Sequence, residues 1–299
     1  MSILVIGSIA LDSVQTPFGR RDETLGGSAT YFSIAASFYS KVRIIATVGE
    51  DFPARYMRMF KMRGVDTSGI TVTEGKTFRW KGRYDQDLNT AHTIYTHLNV
   101  FKYFNPQVPE GLKNTDLVFL ANIDPDLQYS VLEQVKKPKL VACDSMNYWI
   151  TNKRPSLERL LPKIDILLLN DSEARLLSKT DNLKKAARTI LSYGPKAIII
   201  KRGEHGVIYF SKHSYFIAPA YLLETLRDPT GAGDTFAGGL MGYISGARHI
   251  NESTIKKGII YGSILASFTV EGFSVSRLLK IDRNDIVERY KRFMEMTKS

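Results

Sequence analysis

The chain has 299 residues, of which 43% are hydrophobic and 24% are charged, proportions that are typical of a globular protein. This length allows one large α/β domain or two small ones. No apolar run approaches the ~20 residues of a transmembrane helix, so the sequence predicts no membrane partner.

The formal net charge of +11 at pH 7 is spread along the chain and forms no basic cluster. The absence of both a basic cluster and a nucleic-acid motif argues against a nucleic-acid partner. The positive charge would favour an anionic substrate such as a nucleotide. The N-terminus has no basic leader, and the single cysteine, Cys143, follows apolar residues typical of a core. We therefore expect a cytoplasmic protein.

Short apolar runs alternate with amphipathic stretches along the whole chain. The apolar runs predict buried strands at residues 3–6, 42–47, 117–120, 140–142, 164–169 and 197–200. The amphipathic stretches predict helices at residues 28–39, 54–63, 127–135, 171–177, 183–191 and 235–245. This alternation indicates a mostly parallel sheet with helices on both sides, in which ligands gather at the carboxyl ends of the strands.

From residue 76 to residue 98 the side chains follow the period of two that is typical of a β-strand. One predicted face carries Phe78, Trp80 and Tyr84, and the other carries Thr77, Arg79, Lys81 and Arg83. A turn at residues 85–89 and a return strand at 90–96 would complete a small sheet. Such a sheet would suit a lid over a ligand or a dimer surface, and a hairpin packed on the body is the alternative.

The run from Asp228 to Gly239, DPTGAGDTFAGG, is the most informative part of the sequence. Gly231 and Gly233 allow a tight turn that brings backbone N–H groups close to a ligand. These N–H groups begin a predicted helix, whose dipole favours an anion there. Asp234 lies in the same first turn. The run therefore indicates phosphate chemistry, with N–H groups that hold negative charge and a carboxylate that accepts a proton.

This run resembles the C-terminal signature of the ribokinase (PfkB) family of carbohydrate kinases. The resemblance implies that Asp234 is the catalytic base. It also implies that the three small residues before it form the anion hole for the transferred phosphoryl group: Gly231, Ala232 and Gly233. The resemblance covers nearly the whole chain and implies one three-layer α/β/α domain of residues 1–299. A β-sheet lid would be inserted at about 74–98, with a second lid segment at about 12–20.

On the acceptor side, the resemblance assigns substrate binding to residues near the N-terminus. Asp12 follows a predicted strand and would accept hydrogen bonds from sugar hydroxyls. Gly26 and Gly27 resemble the family's N-terminal Gly-Gly signature, whose backbone approaches the substrate. Many members have Asn where this chain has Tyr31, so we expect an acceptor larger or less polar than ribose. Arg79 of the predicted lid is a further expected substrate contact.

Two motifs are expected to face the nucleotide and its metal ion. Asn170 and Glu173 have the spacing of a helix capping box, and they also resemble the family's Asn-x-x-Glu motif. In that motif the Glu helps to organise Mg²⁺, often through water. Lys201, Gly203 and Gly206 resemble the nucleotide-contacting Thr-x-Gly-x-x-Gly loop, with Lys201 in place of Thr. The expected cofactors are ATP and Mg²⁺.

Several relatives in this family also bind a monovalent cation such as K⁺. By position, the residues near that cation would be Asp228, Thr230, Gly272 and Ser276. Asp144 and Asn147 follow another predicted strand, where they either approach the substrate or form a turn and a cap.

The implied reaction is ATP-dependent phosphorylation of a hydroxyl on a sugar or sugar-like molecule. The alternative within the family is a nucleoside kinase. From other classes, the alternatives are a non-catalytic scaffold with the same fold and a nucleic-acid-binding protein. A homodimer that assembles through the lid is a further expectation.

Overall fold

The computed structural model describes residues 1–86, 88 and 90–298. In chain order the strands are β1 (Ser2–Ile6), β2 (Ala10–Thr16), β3 (Gly19–Gly26), β4 (Lys41–Gly49), β5 (Asp66–Thr73), β6 (Phe78–Tyr84), β7 (Ala91–His97), β8 (Leu117–Leu120), β9 (Leu140–Asp144), β10 (Ile166–Asn170), β11 (Ala197–Lys201), β12 (Val207–Ser211) and β13 (Tyr215–Ala218).

The helices, also in chain order, are α1 (Ser28–Ala36), α2 (Ala54–Met62), α3 (Glu110–Lys113), α4 (Pro125–Gln134), α5 (Asn147–Asn152), α6 (Arg154–Leu160), α7 (Asp171–Ser178), α8 (Leu183–Ser192), α9 (Ala232–Ser245), α10 (Glu252–Val270) and α11 (Arg283–Met296). Each helix of the sequence prediction is present, with ends shifted by a few residues. For example, α4 begins at Pro125 because the Asp124 side chain accepts a hydrogen bond from the backbone N–H of Asp126 and so caps the helix.

The main sheet has the strand order β13-β12-β11-β10-β9-β8-β1-β4-β5 within the described residues. All its pairings are parallel except those of β12 with its two neighbours. Alternate residues of β1 enter different cores: Ile3 and Val5 face the core shared with α1, α9 and α10, whereas Leu4 and Ile6 face the core shared with α4 and α6–α8. Both faces are covered, which explains the continuous apolar runs. The predicted three-layer α/β/α fold is confirmed.

A separate small sheet has the order β3-β2-β6-β7. β6 and β7 lie within the lid insertion predicted at about 74–98, whereas β2 and β3 span residues 10–26 and extend beyond the second lid segment predicted at about 12–20. β2 pairs with β6 in parallel, and the outer pairings are antiparallel. The predicted turn at residues 85–89 includes Asp87 and Asn89, which lie outside the described residues. The small sheet is confirmed, and its role as a lid stays a prediction.

Sequence reasoning missed β13, which lies at the sheet edge and leaves Tyr215 and Ile217 exposed. It also missed α11. Cys143 lies in the core as expected. None of the helices that the structure describes has both the length and the apolar composition to cross a membrane.

Glycines allow α9 to approach its neighbouring helices closely. A Cβ on Gly238 of α9 would lie 2.3 Å from the carbonyl oxygen of Phe32 in α1. A Cβ on Gly262 of α10 would lie 2.6 Å from the carbonyl oxygen of Phe236 in α9. These distances are too short for a methyl group, so the second turn of α9 is held in place by backbone packing on two sides.

We expect Gly238→Ala to lower the free energy of unfolding by about 1–3 kcal/mol, the usual cost of overpacking a core. This loss would exceed the ~1 kcal/mol that Ala gains over Gly in a helix. Urea denaturation measures the change. Gly111→Ala in α3 is the matched control, because a Cβ there meets no atom within 4 Å, and it should cause no loss. Equal stability of both variants would contradict this account of the packing.

Candidate active site

The polar residues singled out in the sequence meet at the carboxyl edge of the main sheet. Asp144 ends β9, Asn170 ends β10 and Lys201 ends β11, and these three parallel strands are neighbours. The first turn of α9 lies at the same edge, since Gly233 is next to the Lys201 side chain. Carboxyl ends of parallel strands are the usual ligand site in such folds.

The turn before α9 is shaped by Gly231, which caps the helix in the left-handed conformation with φ 76°. The ring of Tyr31 lies flat against it, and a Cβ on Gly231 would lie 2.4 Å from three ring atoms. The carboxylate of Asp228, which is 1% exposed, accepts a hydrogen bond of 2.9 Å from the N–H of Thr230. Only glycine fits such a position. The first N–H groups of the helix, among them that of Gly233, lack intrahelical partners, and the N–H of Ala232 donates to the carbonyl oxygen of Pro229 at 3.1 Å.

Asp234 occupies the first turn of α9, as the sequence predicts. Burial and the negative charge of Asp144 raise the pKa of its carboxyl, the positive charge of Lys201 opposes them, and the resulting pKa is about 7. A carboxylate with a pKa near neutrality can take up and release a proton at physiological pH.

Asp12 lies on β2 and is 6% exposed. Burial raises the pKa of its carboxyl to about 7, a hydrogen bond from the backbone of Gly27 opposes the shift, and the charges of Asp228 and Asp234 add to it. A Cβ on Gly26 would lie 1.9 Å from Oδ2 of Asp12, so Gly26 makes room for this carboxylate. The sequence analysis expected the two glycines at the substrate, and their packing against Asp12 is an additional reason for them.

Tyr84, the last residue of β6, joins the small sheet to the turn before α9. The hydroxyl of Thr230 donates a hydrogen bond of 3.2 Å to Oη of Tyr84. Burial raises the pKa of the Tyr84 hydroxyl to about 12, and the charges of Asp228 and Asp12 contribute to the shift. Sequence reasoning placed Tyr84 on the aromatic face of the hairpin and missed this contact, because the partner lies far away along the chain.

Asn170 and Glu173 form the capping box that their spacing predicts. The amide oxygen of Asn170 accepts from the N–H of Glu173 at 2.7 Å, and Oε2 of Glu173 accepts from the N–H of Asn170 at 2.7 Å. Burial raises the pKa of the Glu173 carboxyl to about 7, Lys201 opposes the shift, and Asp144 adds to it. The capping role is confirmed, and a role toward a metal ion stays a prediction.

Lys201 reaches from β11 to the first turn of α9. Its Nζ donates to Oδ2 of Asp144 at 2.9 Å and lies 3.1 Å from where a Cβ on Gly233 would be. Gly203 and Gly206 have positive φ values in the loop that follows, and a Cβ on Gly206 would lie 2.1 Å from the carbonyl oxygen of Ala218. Gly206 is therefore needed for the loop to pack against the end of β13.

Arg79 of β6 is bound by acidic residues of two other segments. Its Nε is 2.7 Å from Oε1 of Glu23 in β3, and a terminal nitrogen is 2.8 Å from Oδ2 of Asp51, which follows β4. Asp51 also accepts from the N–H and the hydroxyl of Thr77 at 2.7 Å each. Arg79 thus connects the small sheet to the main body, and its predicted substrate contact stays a prediction.

The four residues expected near a monovalent cation lie on two loops that touch. Oδ2 of Asp228 accepts from the N–H of Ser274 at 3.4 Å, and the N–H of Arg227 donates to the carbonyl of Val270 at 2.8 Å. A Cβ on Gly272 would lie 2.9 Å from the hydroxyl oxygen of Ser276. These contacts bring the two loops together, and the binding of a monovalent cation between them stays a prediction.

Three carboxylates suit a divalent cation at the sheet edge: Asp144, Glu173 and Asp234. The charge of Asp144 raises the pKa values of the other two, and a bound cation would relieve this repulsion. Within the described residues, no three His, Cys, Asp or Glu side chains are close enough to enclose a metal ion by themselves. Mg²⁺ fits this arrangement, because it keeps several waters and takes few protein ligands.

Comparisons with known proteins identify the family of the chain. Residues 3–281 match the pattern of the pfkB family carbohydrate kinases. The chain is 27% identical to a cytidine kinase of Thermococcus kodakarensis, over 84% of this chain and 91% of that protein. It is 25% identical to a deoxyribokinase of Salmonella typhi, over 91% of this chain and 93% of that protein.

A solved structure of similar fold is that of a putative ribokinase II from E. coli in complex with ATP and Mg²⁺. It has a TM-score of 0.80 and 20% identity, and it covers 99% of each chain. The match of the family pattern to almost the whole chain decides the assignment: the chain belongs to the pfkB family of carbohydrate kinases, phosphotransferases that act on hydroxyl groups.

Proposed function

We propose that the chain transfers the γ-phosphoryl group of ATP to a hydroxyl of a sugar or nucleoside, with Asp234 as the general base. The observation that carries this proposal is the position of Asp234. It lies in the first turn of α9, beside N–H groups that favour an anion, and its carboxyl has a pKa of about 7. A proton acceptor and an anion site are thereby adjacent, and phosphoryl transfer requires both.

In the proposed reaction the Asp234 carboxylate takes the proton of the acceptor hydroxyl as its oxygen attacks the γ-phosphorus. The N–H groups of Gly231 and Gly233 donate to the phosphoryl oxygens as negative charge spreads over them. The N–H of Ala232, which donates to the carbonyl oxygen of Pro229 at 3.1 Å, would share its hydrogen between that oxygen and the phosphoryl group. The turn is already shaped by Tyr31 and Asp228, so little reorganisation is needed. Bound Mg²⁺ would supply further positive charge, and Glu173 would hold it through its waters.

The acceptor is proposed to lie between Asp12 and Asp234. The Asp12 carboxylate can accept from two hydroxyls, and its pKa responds to the charge of Asp234, so the two groups are neighbours. The small sheet carries both Asp12 and Tyr84, so a lid made of it would close over the acceptor and exclude water. Arg79 would then hold the lid to the body, besides any substrate contact.

The nucleotide is proposed to bind at the ends of β10 and β11. Asn170, Lys201 and the loop with Gly203 and Gly206 lie at this edge, next to the first turn of α9. ATP and Mg²⁺ are the cofactors expected of this family. K⁺ is proposed as a further ion near Asp228, and a dimer through the small sheet is proposed as the assembly.

A nucleoside is the second candidate acceptor, because the small sheet is rich in aromatic side chains. Trp80 of β6 lies over Gly82, where a Cβ would be 2.2 Å from the indole ring. Tyr84 follows on the same strand and reaches Thr230. Aromatic faces stack on a planar base, which a free sugar does not have. The similarity to a cytidine kinase supports this candidate.

Asp234→Asn tests the general base. We expect turnover to fall by at least ~10²–10⁴-fold, because the amide cannot accept the proton, while ATP binding stays the same. A coupled assay with ATP and a panel of sugars, polyols and nucleosides measures turnover, and calorimetry measures nucleotide affinity. Asp22→Asn is the control, since Asp22 is exposed and pairs with Arg20 on the surface. Normal turnover by Asp234→Asn would refute the role.

The pH dependence of kcat/KM follows from the raised pKa values. The base must be ionised, so activity should fall as pH drops below about 7 and should level off above it. Asp12 and Glu173 also have pKa values of about 7, so the fall in activity on the acidic side of the profile reports the titration of all three carboxylates together. Initial rates between pH 5 and 9 measure it. A profile that stays flat down to the ordinary pKa of Asp, about 4, would be inconsistent with this site.

Tyr84→Phe tests the contact between the small sheet and the turn before α9. It removes one hydrogen bond to Thr230 and keeps the ring. Such a bond contributes about 0.5–1.5 kcal/mol, so we expect KM for the acceptor to rise about two- to twelvefold. Tyr103→Phe, at a side chain that is 79% exposed, is the control. An unchanged KM would mean that the contact plays no part in acceptor binding.

A further inference from the structure

Lys201 places a positive charge where the fold by itself disfavours one. Its Nζ lies beside Gly233 in the first turn of α9, and helix N-termini carry a positive partial charge. The Lys201 side chain is 18% exposed, and a largely buried ammonium group is costly unless it is paired. Burying the Lys201 ammonium group here therefore costs free energy, and a purely structural role would not require a charged residue at this position.

Asp144 holds this ammonium group in place. The distance from Nζ to Oδ2 is 2.9 Å, and the Asp144 side chain is 7% exposed. Glu173 and Asp234 add negative charge nearby and help to keep Lys201 protonated. An ammonium group has three N–H donors, so the bond to Asp144 leaves donors for another acceptor.

Both the ammonium group and the helix N–H groups attract an anion to the same point. We propose that Lys201 is a catalytic residue whose ammonium group donates to the transferred phosphoryl group, and that Asp144 is the positioning residue that aims it. This inference rests on the proposed kinase function. It gives Lys201 a role at the reacting phosphorus, beyond general contact with the nucleotide.

The step balances without a further reactant. The acceptor oxygen forms a bond to the γ-phosphorus, and the bond from that phosphorus to the bridging oxygen of ATP breaks. The electron pair of the broken bond stays on ADP, and the hydroxyl proton passes to Asp234. Lys201 keeps its proton throughout and stabilises the charge on the phosphoryl oxygens.

The first experiment needs no acceptor. Calorimetry compares ATP and ADP affinities of the wild type and Lys201→Met, which keeps the length of the side chain and removes its charge. We expect ATP affinity to fall about ten- to hundredfold, as for loss of a hydrogen bond to a charged group, while ADP affinity stays the same. Equal losses for both nucleotides, or no loss for either, would overturn the proposal.

Lys196→Met is the matched control. Lys196 precedes β11 at the opposite end of the same strand, its side chain is 81% exposed, and it pairs with Asp165. It should leave both affinities unchanged. Because Lys201→Met leaves buried carboxylates unpaired, its folding is checked by thermal unfolding. The double variant Lys201→Met/Asp144→Asn removes both charges, so it keeps the test valid if the single variant does not fold, and it should lose ATP affinity in the same way.

The second experiment measures kcat with an acceptor that the wild type phosphorylates. We expect Lys201→Met to lower kcat by about 10²–10³-fold, the usual effect of removing one donor from an anion hole, and Lys201→Arg to recover part of it. If Asp144 acts through Lys201, the double variant loses no more than Lys201→Met alone. Additive losses would overturn the positioning role of Asp144.

Failure of the proposed function would be recognised separately. A wild type that binds ATP and phosphorylates none of the acceptors would count against the proposed acceptor, while the comparison of ATP with ADP still decides the role of Lys201. A wild type that binds neither nucleotide would overturn both.

Discussion

The candidate site depends on negative charge concentrated at the carboxyl edge of the main sheet. The charge of Asp144 acts on both Glu173 and Asp234, whose pKa values are raised to about 7, mainly by burial. Lys201 is the cation among them, paired with Asp144. Without it, the carboxylates would be protonated more readily, and the edge could not hold an ionised base next to an anion site. The chemistry therefore follows from how charges are balanced in one small volume.

The backbone around this cluster is positioned by close packing. Glycines between α1, α9 and α10 allow close packing of the second turn of α9, and the Tyr31 ring supports Gly231. The small sheet also packs on the main core, through Leu11 and Leu25. It is joined to the body as well by polar bonds, from Arg79 to Asp51 and from Thr230 to Tyr84.

Patterns of several residues allowed most of the fold and the central motif to be predicted from the sequence. The strands at 42–47 and 197–200 are apolar on both faces, and the run at 228–239 combines a turn, an acid and a helix start. β13 is harder to recognise, because it has only four residues and two of them, Tyr215 and Ile217, face solvent. The contacts of Tyr84 with Thr230 and of Gly26 with Asp12 depend on chain segments meeting in space, and no local spacing encodes them.

The position of Asp12 on β2 has a thermodynamic consequence. Asp12, the carboxylate proposed to bind the acceptor, belongs to the small sheet, whereas Asp234 belongs to α9 in the main body. Any population in which the small sheet stands away from the body separates these two groups and cannot bind the acceptor fully. The measured dissociation constant would then be the intrinsic constant divided by the fraction of molecules that are closed. Substitutions at Glu23 or Asp51, outside the site, would alter acceptor affinity through this fraction alone.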